Sequence, residues 1–172
     1  MTRKRHGDSE ALRREVIHLL SNFEAELQNG DLRAKVKALV PVFRNLRNLG
    51  ASLISAVDAP SGRDRILAYL SKYPSVIIPG EELMVVAGID DWARRVRELR
   101  QDFGWSILTG DTIKDMVNDA AEAGEDHGLL SADGVDLATM KITDYMLTTT
   151  ERDREAADRW NVANTIRRKK IS

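Results

Sequence analysis

Val86-Ala87-Gly88-Ile89-Asp90-Asp91-Trp92-Ala93-Arg94-Arg95-Val96-Arg97-Glu98-Leu99-Arg100-Gln101 is the stretch on which the reading of this chain turns. Successive residues of an α-helix rotate by about 100°. Between Asp91 and Asp102 that rotation gathers Trp92, Val96 and Leu99 into one apolar stripe, with Ala93 at its edge. Arg94, Arg97, Glu98 and Gln101 point the other way, and Arg95 and Arg100 flank the stripe on opposite sides. Asp90 is the expected N-cap. The residues before it, Gly88-Ile89-Asp90, read as a tight turn closing an earlier helix that Pro79-Gly80-Glu81 opens. A helix, a glycine-containing turn and a second helix make a helix-turn-helix pattern.

Working outward, Ser61-Gly62-Arg63-Asp64 reads as a capping box. It starts a short helix that ends near Tyr73-Pro74. Val76-Ile77-Ile78 is a β-type run, and Trp105 to Thr109 alternates like a half-buried strand. Tyr145-Met146-Leu147 is the candidate second wing strand. The expected class is mainly α with a small β wing, a winged helix-turn-helix over residues 61–147. An insertion, 110–142, separates the wing strands. Thr112 to Ala123 has helical character, while Gly124 to Gly128 and Ser131 to Gly134 read as loop. That length predicts an elaborated or mobile wing tip. A short turn in its place is expected to leave the unit intact.

Residues 1–60 form an N-terminal helical region in this reading. One helix runs from Ser9 to Gln28 and stops at Asn29-Gly30, a pair suited to a left-handed cap. A second starts after Asp31, and Pro41 is expected to kink it or split it in two. Residues 148–172 are expected to form a C-terminal linker helix, opened by a second capping box at Thr150-Glu151-Arg152-Asp153 and carrying Ala156, Ala157, Trp160, Ala163 and Ile166 on its inner face.

The formal net charge of −1 averages opposite segments. Residues 31–57 hold five Lys or Arg against one Asp, whereas residues 110–136 hold eight acids against one Lys. The absence of cysteine removes disulfides, thiolate nucleophiles and cysteine zinc sites. It agrees with a cytoplasmic protein. No apolar run reaches the roughly 20 residues of a membrane helix. The three histidines, His6, His18 and His127, are far apart. Asp126, His127 and Glu122 form no recognised ligand motif. No catalytic, metal or cofactor site is expected.

The helix at 91–102 has the form of a DNA-reading element, which needs one anchored face and long donors on the other. Arg94, Arg97 and Gln101 would meet base edges, because Arg donates two parallel bonds to guanine and Gln pairs with adenine. Arg95 and Arg100 suit phosphates. Residues 61–109 balance seven basic against seven acidic groups, so no broad basic field adds to this. The competing reading is an interaction module that uses the same fold as a scaffold for a protein partner. The residues leave both open.

Arg63-Asp64-Arg65-Ile66-Leu67, Gly80-Glu81-Glu82-Leu83, Trp92-Ala93-Arg94-Arg95-Val96-Arg97-Glu98-Leu99-Arg100 and Phe103-Gly104-Trp105 together resemble the winged-helix unit of bacterial HNH endonucleases of restriction type. Leu32-Arg33-Ala34-Lys35-Val36, Leu39-Val40-Pro41-Val42-Phe43 and the segment from Asp153 to Asn164 are similar too. The resemblance implies sequence- or modification-specific recognition of double-stranded DNA in this chain. It places cleavage in a metal-binding HNH nuclease domain, which this chain does not contain and which would follow a second winged-helix unit.

Overall fold

The computed structural model describes residues 8–123, 131–132 and 134–155. The fold is mainly helical with a small three-stranded antiparallel sheet. Two long helices come first, α1 (Ser9–Asn29) and α2 (Leu32–Ser52). They form an antiparallel pair, closed at the open end where Ser9 and Ser52 hydroxyls meet at 2.9 Å. Asp31 caps α2 through Ala34 N–H at 2.8 Å, as expected. Two details differ. Gly30 takes an extended conformation, φ −77°, and satisfies its N–H on the Glu26 carbonyl, so no left-handed cap is used. Pro41 does not split α2, which runs unbroken through it. The lost hydrogen bond is outweighed by packing, because Val42 and the half-buried Leu39 and Leu49 fix the helix on both sides of the proline.

α3 (Gly62–Lys72) carries the expected capping box, with Ser61 and Asp64 each accepting from the other's backbone. β1 (Ile78–Pro79) begins only at the last residue of the apolar run and takes in the proline after it. α4 (Gly80–Ala87) ends at Gly88, φ 61°, and α5 (Trp92–Gln101) follows. The expected N-cap shifts by one. Asp91 occupies the cap position without a side-chain cap bond. Asp90 is drawn off by Arg47 of α2, whose Nη1 donates to its Oδ2 at 2.7 Å.

β2 (Trp105–Thr109) and β5 (Asp144–Arg152) pair antiparallel, with Ile107 opposite Leu147 and Leu108 opposite Met146. β1 adds on the other side of β5, giving the order β1-β5-β2. β5 is longer than the three residues expected and extends to Arg152. The capping box expected at Thr150 is therefore absent, because Glu151 and Arg152 are strand residues. The helix predicted beyond it falls from residue 156 onward outside the described residues.

Alternation along the strands gives the sheet two apolar faces. Ile78, Ile107 and Leu147 face α3, α4 and α5, packing with Ile66, Leu70, Leu83, Val96 and Leu99. Met146 and Leu108 face the opposite way, and there the insertion covers them. α6 (Gly110–Ala123) supplies Ile113, and a 3₁₀ turn (Leu137–Thr139) supplies Leu137. Ser131 to Gly134, expected as loop, holds β3 (Ser131–Ala132), which pairs with β4 (Val135–Asp136). The insertion, expected as an elaborated or mobile tip, thus forms through its described residues a second layer of the core. Residues 124–130, the other predicted loop, lie outside the described residues.

The helical pair is tied to the rest through glycine. A Cβ on Gly50 would stand 2.4 Å from the Val85 carbonyl oxygen, so α2 and α4 touch backbone to backbone. Gly50→Ala is expected to lower unfolding stability by about 1–3 kcal/mol, since neither backbone yields easily. Chemical denaturation measures this, and an unchanged midpoint would mean the two helices separate freely.

Candidate nucleic-acid interface

α5 is anchored as its periodicity requires. Val96 and Leu99 are buried, and Trp92 packs edge-on against Tyr145 with ring centroids 5.8 Å apart. The polar side of the helix divides into two flanks. On one, Glu98 is a hub. Arg95 Nη1 donates to both its carboxylate oxygens at 2.8 Å, and Arg94 Nε lies 3.2 Å away. Arg94 also reaches Asp91 at 3.6 Å. The Arg95 hydrogen bond holds the Glu98 carboxyl below its ordinary pKa, with the nearby positive charges of Arg94 and Arg63 adding to it. Glu98, expected to point outward with Arg94, has a side chain only 19% exposed and folds inward to its partners.

On the other flank Arg97 is exposed and makes no ion pair among the described residues. Arg100 is half-buried and donates to Thr112 Oγ1 of α6 at 3.3 Å. Burial pushes its pKa down. Burial also pushes the Tyr145 phenol up, helped by Asp111 and opposed by Arg100 and Arg97. Gln101 is half-buried. Of the five predicted site residues, Arg94 and Arg97 therefore stand furthest into solvent. Arg95 is held by Glu98, and Arg100 is turned toward the insertion.

Sequence reasoning missed a second arginine group. Arg63 of α3 lies over the Phe103 ring, 4.3 Å from its centroid, and Arg152 of β5 lies 5.5 Å from it. Arg152 Nε also donates to the Phe103 carbonyl. These residues come from α3, the turn after α5 and the last strand, so no local spacing announces them. Cation–π contacts hold such guanidinium groups beside the ring while leaving donors available.

Among the described residues no group of three His, Cys, Asp or Glu side chains is placed to hold a metal ion. Asp126 and His127 lie outside those residues. No described helix is long and apolar enough to cross a membrane.

No curated protein and no solved structure matches the chain. A family model described as the KpnI N-terminal domain matches residues 63–148, half of the chain, from the first turn of α3 into β5. KpnI is a restriction enzyme and an HNH endonuclease. The matched segment holds α5, the sheet and the insertion packed beneath it, and by that match the chain belongs to the KpnI N-terminal domain family.

Proposed function

We propose that this chain is the DNA-recognition region of a restriction-type HNH endonuclease and that α5 reads the duplex. In this reading residues 61–147 are a winged-helix unit, residues 1–60 a helical extension and residues 148–172 a connection to a nuclease domain that performs the cleavage. The order α3, β1, α4, α5, β2, β5, with β5 between β1 and β2, supports the winged form. So does the left-handed Gly88 between α4 and α5. The observation that carries the proposal is Arg97. It sits opposite the buried Val96 and Leu99, exposed and without an ion-pair partner among the described residues, beside an Arg94 side chain 61% exposed. A guanidinium so placed is free for bidentate contact with a base edge. Arg95 and Arg100 serve phosphates, with Arg63 and Arg152 continuing the positive edge.

Selection on methylated and unmethylated duplex libraries supplies the target. On that target Arg97→Ala is expected to weaken binding by about 1–3 kcal/mol and relax selectivity at one position, whereas Arg95→Ala should weaken all sequences alike. If Arg94→Ala, Arg97→Ala and Gln101→Ala all bind as the parent does, α5 is not at the interface. Salt dependence separates this function from that of a protein-interaction scaffold, which would show no salt-dependent affinity for DNA.

A further inference from the structure

All the formal charge on α2 is positive. Between Leu32 and Ser52 it holds Arg33, Lys35, Lys37, Arg44 and Arg47 and no acid. Arg33, Lys37, Val40, Arg44 and Arg47 recur every three or four residues, so they line one face of the helix. Leu32, Val36 and Phe43 lie roughly 80° round from that row, so it is distinct from the apolar side of α2. Arg33, Lys37 and Arg44 are exposed and make no ion pair among the described residues. Elsewhere Arg13, Arg14, Arg94 and Arg95 each lie against an acid.

The lower end of the row shows where it leads. The next position on this face is Ala51, which is buried. A Cβ on Gly88 would stand 2.7 Å from the Ala51 methyl and 2.8 Å from the Arg47 carbonyl oxygen. Gly88 is the residue that ends α4 ahead of α5. Arg47 Nη1 donates to Asp90 at 2.7 Å, so it neutralises an acid of the turn itself. The face that carries the row is therefore the face on which the turn between α4 and α5 is seated. From Arg47 up to Arg33 the row runs about 20 Å along the axis.

We infer, resting on α5 as the reading helix, that this row binds the phosphate backbone of the duplex beside the site that α5 reads. A reading helix enters the groove through its N-terminal residues. The turn in front of α5 then lies at the duplex surface, and a face seated on that turn continues over the flanking backbone. Unpaired guanidinium and ammonium groups suit that backbone, since phosphate contacts position a protein without reading sequence. Counterions released from the phosphates supply the gain. Continuity with α5 favours a duplex over an acidic protein as the occupant. So does the row itself, in which Val40 is the one apolar member and no aromatic anchor stands.

Fluorescence anisotropy of the full chain on two labelled duplexes tests this. One is the target selected for the parent, with a helical turn of flank, about 10 base pairs, on each side. The other is a random duplex of the same length. The triple variant Arg33→Gln/Lys37→Gln/Arg44→Gln should bind both about tenfold or more weakly at low salt, with the slope of log affinity against log salt reduced by roughly 2–3. The ratio between the two duplexes should stay as in the parent. Trimming the flank should weaken the parent and leave the triple variant unchanged. Arg33→Lys/Arg44→Lys keeps the charge and should bind as the parent does. A triple variant with the parent's affinity and salt slope overturns the inference and leaves the row to an acidic protein, whether or not Arg97→Ala relaxes selectivity. Loss of selectivity along with affinity, or failure of the lysine variant to bind, overturns the phosphate role. If Arg94→Ala, Arg97→Ala and Gln101→Ala are neutral while the triple variant loses its salt slope, the reading of α5 fails and the row remains a DNA contact. A parent that binds neither duplex overturns both.

Discussion

Arg65→Met is expected to destabilise the protein by about 4 kcal/mol, with most of the loss arising at two carbonyls rather than in the arginine itself. Arg65 is buried, 4% exposed, in the first turn of α3. Its Nε donates to the Val86 carbonyl at 3.0 Å and its Nη2 to the Ala87 carbonyl at 2.5 Å. Those are the last residues of α4, where helix carbonyls have no intrahelical partner and the dipole is negative. A planar guanidinium answers both needs at once and locks α3 against the turn that launches α5. Methionine fills the volume but leaves both oxygens buried and unpaired. Arg65→Lys should recover only part of the loss, because one ammonium cannot reproduce the fork. Thermal and urea melts of the three proteins decide this. If the methionine and parent proteins have equal midpoints, water or a neighbour satisfies those carbonyls.

Excising the insertion should have the larger effect of the two. Joining Gly110 to Ile142 through a short turn keeps the β2–β5 pairing, yet it removes Ile113 and Leu137 and exposes Met146 and Leu108. At roughly 1.5–3 kcal/mol for each large side chain, the loss reaches about 5 kcal/mol or more, comparable with the whole stability of many domains. The shortened chain is expected to melt without cooperativity and to bind a hydrophobic dye. Ile113→Ala, made in the intact chain, should cost about 2–4 kcal/mol and isolates the packing term. A shortened protein that melts as cooperatively as the parent would show that the second layer carries little of the stability.

What the sequence revealed and what it hid follow the range of the forces involved. The Ser61 box, the Gly88 stop and the Val96–Leu99 stripe depend on partners within a few residues, and periodicity exposes them. Asp90 failed as a cap because its partner, Arg47, is 43 positions away. The alternation of Trp105 to Thr109 marked a strand, but it could not say that the outer face would also be covered. Ile113, Leu137 and Met146 meet only after the chain has folded back. The acidic composition of the insertion drew attention to its charge, while its few apolar residues decided its place. The same holds for α5. Its arginines were legible as a set, but their division into held and free side chains depends on how far Glu98 folds inward.

The end of β5 carries one further meaning. Arg152 grips the Phe103 carbonyl, and the next residue, Asp153, donates its N–H to the Gly104 carbonyl at 2.9 Å. The main chain therefore leaves the unit at the foot of α5, pinned to the two residues that terminate it. A tilt of α5 would move Phe103 and Gly104 and, through these two hydrogen bonds, the end of β5 with them, so the helix and the last strand answer to one another at that point.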